Sequence, residues 1–247
     1  MERNEFLSAG ADTILAAAGE KGMPVALLGG LAVYRTCPST RREPFARDIN
    51  DMDFIVTKRR SSEFGKLLAS LGYEGDHQFN SLHGETRLLY ASPETDIDVF
   101  VGVFQQCHEL DLESVLGTAP APIPLAHLLL TKLQIVQINR KDELDALAIL
   151  TDHDVVAKGT ADQIDLDVIT SITSNDWGWF TTVSDNLAKL GTAVDEAITG
   201  DERDLLHDRL DKIGQAVEQH PKSVKWKIRD RVGRRMPWYD LPEEKRL

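Results

Sequence analysis

The sequence of 247 residues has few of the features that mark metal-binding, disulfide-rich or membrane proteins. Its two cysteines, Cys37 and Cys107, show no metal-ligand spacing, and its seven histidines include no His-x-x-x-His pair. No apolar run approaches the ~20 residues that a membrane-spanning helix needs. The first residues lack the basic start and apolar stretch of a signal peptide. We therefore expect free thiols, no zinc site, no membrane partner and a cytoplasmic location.

Acidic residues outnumber basic ones, and the formal net charge is −12. This balance argues against nonspecific nucleic-acid binding by the whole surface. The charge is uneven, because residues 161–220 carry 13 acids and 4 bases, whereas residues 221–235, the basic segment, carry seven bases and one acid. Two interpretations of the basic segment stay open: local binding of a polyanion, or a solvated helix face that neutralises the acidic residues before it.

The hydrophobic pattern divides the chain into an α/β half and a helical half. Strands are predicted at four apolar segments, with a hairpin joining the last two: residues 25–28, 52–57, 86–91 and 97–103. Loops are predicted at 35–50 and 73–84. After a proline-rich stretch at 119–124 the pattern predicts helices only. We expect an α+β fold, with a small mixed sheet in domain 1–118 and an α-helical domain at 119–247.

The predicted helices follow the apolar periodicity and the positions of Gly and Pro: 5–20, from residue 31, 61–70, 125–139, 141–150, 162–173, 177–191, 201–219 and 222–233. Asp142 is the predicted N-cap of the helix at 141–150.

Two glycines, Gly29 and Gly30, lie where the first predicted strand gives way to a helix. Backbone amides are unpaired at a helix N-terminus, and the helix dipole adds positive potential there. Because glycine lets a ligand approach the backbone closely, such a turn can bind phosphate. A Gly-Gly pair alone is also typical of an ordinary turn.

Two aspartates, Asp51 and Asp53, stand at the second predicted strand. Residues two apart on a strand point to one face, so their carboxylates repel each other unless a cation lies between them. Mg²⁺ prefers such oxygen ligands and keeps water or phosphate oxygens in its other positions. Asp98 precedes a later apolar run and can complete a two-metal site, with Asp96 as a weaker candidate. The alternative is a polar strand start with solvated acids.

Together these residues resemble the polymerase-beta-like nucleotidyltransferase superfamily, and within it the branch of AbiE-type toxin nucleotidyltransferases. Gly29 and Gly30 are similar to the family's glycine turn, and Asp51, Asp53 and Asp98 to its three metal-binding carboxylates. The resemblance implies that the aspartates hold Mg²⁺ and are catalytic, that Asp98 can also activate the acceptor hydroxyl, and that the glycines bind the triphosphate.

The resemblance covers about residues 25–150 and includes basic positions. Arg47 matches a recurring basic position of the family, which implies a contact with the nucleotide. Lys132 and a later Arg-Lys-Asp-x-x-Asp match a second motif, which implies that Lys132 reaches the triphosphate and that Asp142 or Asp145 orients it or the acceptor. The alternatives are an exposed helix lysine and two acids that favour a helix N-terminus electrostatically.

Two features depart from the family pattern. The loop from Tyr34 to Ala46 is long and rich in arginine, and Leu31 stands where many members have a small hydroxyl residue after the glycines. Either departure would alter the nucleotide site or weaken catalysis.

The resemblance implies a magnesium-dependent enzyme that transfers a nucleoside monophosphate from a nucleoside triphosphate, such as ATP, to an acceptor hydroxyl and releases pyrophosphate. A toxin-like role implies RNA, such as a tRNA end, or protein as the acceptor, and an antitoxin as a partner. One alternative is transfer to a small cationic antibiotic, which an acidic cleft would suit. Another is a catalytically silent nucleotide-binding module.

Overall fold

The computed structural model describes residues 2–117 and 120–240. Contacts divide the chain into two compact units. Unit 1 comprises Met1–Arg41, Arg47–Phe104 and Leu110–Ile123, and unit 2 comprises Arg42–Ala46, Gln105–Glu109 and Pro124–Leu247. The predicted domain boundary, between residues 118 and 119, lies outside the described residues.

Unit 1 is built on a five-stranded mixed sheet with the strand order β1-β2-β5-β4-β3. Its strands are β1 (Val25–Leu28), β2 (Asp51–Val56), β3 (Glu74–Gly75), β4 (Arg87–Ala91) and β5 (Asp96–Val101). β2 and β5 are parallel, and the other neighbours are antiparallel. This small mixed sheet, with helices around and after it, confirms the predicted α+β fold, and the β4–β5 pair confirms the predicted hairpin.

Four helices accompany the sheet: α1 (Glu2–Glu20), α2 (Gly29–Thr36), α3 (Ser61–Ser70) and α4 (His77–His83). α1 buries Leu7, Ala11, Ile14 and Ala18, which lie three or four positions apart and therefore share one helix face. All four residues of β1 are buried, as expected for an apolar strand between α1 and β2. Phe54 of β2 packs edge-to-face on Phe64 of α3, with ring centroids 5.8 Å apart.

The predicted loop at 73–84 is wrong, because this segment forms β3 and α4. Asp76 starts α4 by accepting a hydrogen bond from the amide of Phe79 at 2.9 Å. Asn80 then ties the helix to β4: its Nδ2 donates to the carbonyl of Leu89, and its Oδ1 accepts from the amide of Leu89. The segment is ordered by contacts with a strand that is distant in sequence, which local polarity does not reveal.

The second part of the described chain is mainly helical. Its helices are α5 (Leu125–Leu133), α6 (Arg140–Asp152), α7 (Leu166–Asn175), α8 (Trp177–Ala197), α9 (Asp201–Gln219) and α10 (Val224–Asp230).

Two further small sheets pair β6 (Val103–Gln105) with β7 (Glu109–Asp111), and β8 (Val155–Val156) with β9 (Ile164–Asp165). Short 3₁₀ helices occupy Pro38–Arg41, Lys58–Arg60, Glu113–Val115 and Gly233–Arg235.

Three details of the helical prediction are wrong. The parallel pair of β8 and β9 interrupts the helices. α5 ends at Leu133 and does not continue to residue 139. The N-cap of α6 is Asn139 and not Asp142, because the Asn139 side chain accepts hydrogen bonds from the amides of Lys141 at 3.0 Å and Asp142 at 3.2 Å.

Candidate active site

The two glycines lie at the junction of β1 and α2, as predicted. Gly29 has a φ of +65°, a conformation that residues with a Cβ rarely adopt. A Cβ at Gly29 would overlap Oδ2 of Asp53 and lie 2.8 Å from its Cγ, and a Cβ at Gly30 would overlap Nη2 of Arg47 and lie 3.1 Å from its Cζ. The residue before the helix, Leu28, has an apolar side chain that forms no cap hydrogen bond. The turn, one carboxylate and one guanidinium therefore meet at the N-terminus of α2.

The three predicted metal ligands lie on one face at one end of the sheet. The parallel register of β2 and β5 pairs Asp53 with Asp98 and Asp51 with Asp96. Residues in register on neighbouring strands point to the same face, as do residues two apart on one strand, so all these carboxylates share that face. Asp98 is only 4% exposed, whereas Asp51 and Asp53 are half-buried and Asp96 is exposed.

Asp98 is paired with Arg87, which is not among the residues that the sequence predicts for the site. Nε of Arg87 donates to Oδ1 of Asp98 at 3.2 Å, and Nη2 donates to Oδ2 at 3.0 Å. The Arg87 guanidinium carbon also lies 5.3 Å from the ring centroid of Phe100 and 5.9 Å from that of Phe79. The predicted hairpin could have indicated this pair. In its register Leu89 opposes Asp98, so Arg87 lies diagonally across from Asp98 on the same face of the sheet.

The chemistry of the three aspartates fits magnesium, because they bring carboxylate oxygens from two adjacent strands to one face. Within residues 2–117 and 120–240, however, no group of three or more His, Cys, Asp or Glu side chains is arranged to hold a metal ion. Asp98 differs from an unoccupied metal ligand, because both of its oxygens accept hydrogen bonds from Arg87. The magnesium site therefore stays a prediction.

Unit 2 contains a buried ion cluster made of the second predicted motif. Nζ of Lys132 on α5 lies 2.9 Å from Oδ1 of Asp142 and 2.9 Å from Oδ2 of Asp145, both on α6. Burial lowers the pKa of the Lys132 ammonium, but the charges of Asp145 and Asp142 together outweigh burial and raise the pKa above its ordinary value. Lys132 is therefore not an exposed helix lysine. Its contact with a triphosphate stays a prediction, as does the role of Asp142.

The arginine-rich loop is held by ion pairs inside each unit. In unit 1, Nη2 of Arg35 donates to Oδ1 of Asp12 on α1 at 2.5 Å. In unit 2, Arg42 pairs with Glu202 on α9. The partners are carboxylates of the protein itself. Arg35 and Arg42 are therefore held in ion pairs within the folded chain.

The basic segment contains α10, which packs against α7 and α8. Three bases contact aromatic rings, and the last also forms an ion pair with Asp185: Lys222, Arg229 and Arg234. The remaining bases are exposed: Lys225, Lys227, Arg231 and Arg235. The segment therefore combines an inner face that stabilises unit 2 with an outer face that carries positive charge.

The sequence matches no protein-family model, and no curated protein matches it. Among the helices of the described ranges, none is both long and apolar enough to cross a bilayer.

Proposed function

We propose that this protein is a magnesium-dependent nucleotidyltransferase, which transfers a nucleoside monophosphate from a nucleoside triphosphate to an acceptor hydroxyl and releases pyrophosphate. The observation that carries the proposal is the contact of Asp53 and Arg47 with the Gly29–Gly30 turn, beside the strand that carries Asp98. An anion-binding turn, a base and acids on one face are the groups that phosphoryl transfer uses, because its catalysis is mainly positioning and charge neutralisation.

Each residue of this site has a proposed role. Asp51, Asp53 and Asp98 hold magnesium, which, when bound, supplies positive charge to the triphosphate and lowers the pKa of the acceptor hydroxyl. The amides at Gly29 and Gly30 bind phosphate oxygens at the positive end of the α2 dipole. The planar guanidinium of Arg47 is suited to bind a phosphate through two hydrogen bonds. Asp98 accepts the proton of the acceptor hydroxyl.

The proposed acceptor is RNA or protein, in line with the toxin-like resemblance, and an antitoxin is the corresponding partner. The four exposed bases of the basic segment support a polyanionic acceptor, because such bases bind phosphates along a single strand.

The test uses transfer of label from each α-phosphate-labelled nucleoside triphosphate, with magnesium, to total RNA and protein. Asp53→Asn is compared with Asp96→Asn, which makes the same change on the same face but at an exposed position. We expect the wild type and Asp96→Asn to transfer label. Asp53→Asn should lose at least about 100-fold in rate, since it removes a charge that stabilises the transition state.

Each outcome has a defined meaning. Label in RNA alone or in protein alone identifies the acceptor. Transfer to an aminoglycoside but not to RNA or protein identifies a small-molecule acceptor. The net charge of −12 is compatible with such a cationic acceptor. Nucleotide binding without transfer to any acceptor supports a silent nucleotide-binding module. Undiminished transfer by Asp53→Asn refutes the assignment of the site.

A further inference from the structure

The third carboxylate of the candidate site already has a cationic partner. Arg87 and Asp98 form a two-bond ion pair in which the arginine side chain is 16% exposed and the aspartate side chain 5% exposed. Each oxygen of Asp98 uses a lone pair in these hydrogen bonds, so fewer lone pairs are left for a metal ion. A guanidinium and a divalent cation at the same carboxylate also repel each other, and in a buried site that repulsion is weakly screened.

We infer that Arg87 is a positioning residue that exchanges partners during nucleotide binding. Without metal, Arg87 neutralises Asp98; when the magnesium-bound triphosphate binds, Asp98 turns to the metal and Arg87 turns to the triphosphate. The inference rests on the proposed function, because it needs the aspartates of β2 and β5 to bind a divalent cation.

Two aromatic rings keep Arg87 in place during this exchange. Its guanidinium lies within 6 Å of the ring centroids of both Phe79 and Phe100, the range in which a cation is attracted to a ring face. These contacts do not depend on Asp98, so the guanidinium stays close to the site after the carboxylate leaves it. A planar guanidinium is also suited to phosphate oxygens, whereas a lysine would offer a single point charge.

The simpler alternative is that Arg87 only ties β4 to β5. The backbone ladder already pairs these strands over five residues on each side, from Arg87 opposite Phe100 to Ala91 opposite Asp96. A buried ion pair adds little net stability to such a ladder, because desolvation offsets most of the Coulombic attraction. The two roles predict different effects of an Arg87 substitution on the affinity for metal and on the affinity for nucleotide.

The experiment compares Arg87→Gln with Arg59→Gln, which removes the same charge from an exposed position after β2. Binding of Mn²⁺ without nucleotide is measured at pH 8 from the electron paramagnetic resonance signal of the free ion, and nucleoside triphosphate binding with Mg²⁺ by calorimetry. For Arg87→Gln we expect Mn²⁺ affinity to rise about tenfold and triphosphate affinity to fall about tenfold. Arg59→Gln should change each by less than about twofold. Circular dichroism verifies folding, and Arg87→Lys, which keeps the charge, should give intermediate values.

The inference is overturned if Arg87→Gln changes the Mn²⁺ affinity and the triphosphate affinity in the same direction, as a general charge effect predicts. It is also overturned if neither affinity changes, as a purely structural role predicts. Asp53→Asn separates this failure from failure of the proposed function. If Mn²⁺ binds the wild type and Arg87→Gln equally but not Asp53→Asn, the metal site stands and the exchange is refuted. If Mn²⁺ binds none of these proteins, the metal site and the exchange are both refuted.

Discussion

Gly29 illustrates, at the scale of a single residue, two separate reasons for a glycine. Its φ of +65° disfavours a side chain, and the position of its missing Cβ is occupied by the Asp53 carboxylate. Gly22, at the end of α1, has a similar φ of +56°, but a Cβ there would meet no described atom within 4 Å. Comparison of the two positions therefore separates backbone strain from displacement of Asp53.

We expect Gly22→Ala to lower the free energy of unfolding by about 1–2 kcal/mol, the cost of a left-handed conformation with a Cβ. Gly29→Ala should lower it by at least as much, because the overlap with Asp53 adds to that cost. Only Gly29→Ala should also displace Asp53 and weaken nucleotide binding, by about tenfold or more. Urea unfolding and calorimetric titration with nucleoside triphosphate measure the two effects. Equal nucleotide affinity in both variants would show that the contact between Gly29 and Asp53 does not serve the nucleotide site.

At the scale of secondary structure elements, the packing of α5 on α6 places charged side chains in a buried position. Lys132 is 7% exposed and Asp145 is 4% exposed, and the lysine forms ion pairs from α5 to two carboxylates of α6. The Asn139 cap sets the first turn of α6 and thereby places Asp142 beside the lysine. Removal of the ammonium alone would leave two carboxylates close together without a counter-charge, which is more costly than the absence of the whole cluster.

Lys132→Met should therefore lower the free energy of unfolding by about 3 kcal/mol or more. Lys141→Met, which changes an exposed lysine at the start of α6, should change it by less than about 0.5 kcal/mol. Adding Asp145→Leu to Lys132→Met should recover part of the loss, because one uncompensated charge is removed. Denaturant unfolding of the four proteins measures these differences. A similar effect of Lys132→Met and Lys141→Met would contradict a structural role for the cluster.

At the scale of the whole molecule, a buried histidine links stability to pH. Burial lowers the pKa of His108 to about 4, although the charges of Asp176 and Asp240 act to raise it. The ring lies 5.1 Å from that of Trp179, and its Nε2 is 2.8 Å from Oγ1 of Thr182. His108 is therefore neutral in the folded protein at pH 7, whereas the unfolded chain binds a proton at its ordinary pKa, about 6.5.

Because the folded pKa lies below the unfolded pKa, the unfolded state binds more protons between about pH 6.5 and 4, and acid favours unfolding in that window. Between pH 7 and pH 5 the loss that His108 causes should be about 2 kcal/mol. His108→Gln, which does not titrate, should show a pH dependence that is shallower by this amount. Urea unfolding at both pH values checks the prediction. Parallel pH curves for the wild type and His108→Gln would contradict it.

Local patterns in the sequence determined most of the elements and the make-up of the candidate site. Apolar runs of four to six residues marked β1, β2 and β5, and the glycines and aspartates stand at the ends of these strands. These features depend on side-chain periodicity and backbone chirality, which act over a few residues. The same reasoning proposed Asp51, Asp53 and Asp98 as one group, and the parallel register of β2 and β5 places them on one face.

Only the tertiary structure decided which charged groups pair. Arg87 reaches Asp98 through the register of a hairpin, and Lys132 meets two carboxylates through the packing of one helix on the next. The segment at 73–84 becomes a strand and a helix through Asn80 and its hydrogen bonds to β4. Such pairings depend on backbone register and side-chain direction between distant segments. A one-dimensional pattern does not contain this information, whereas burial makes each pairing energetically decisive.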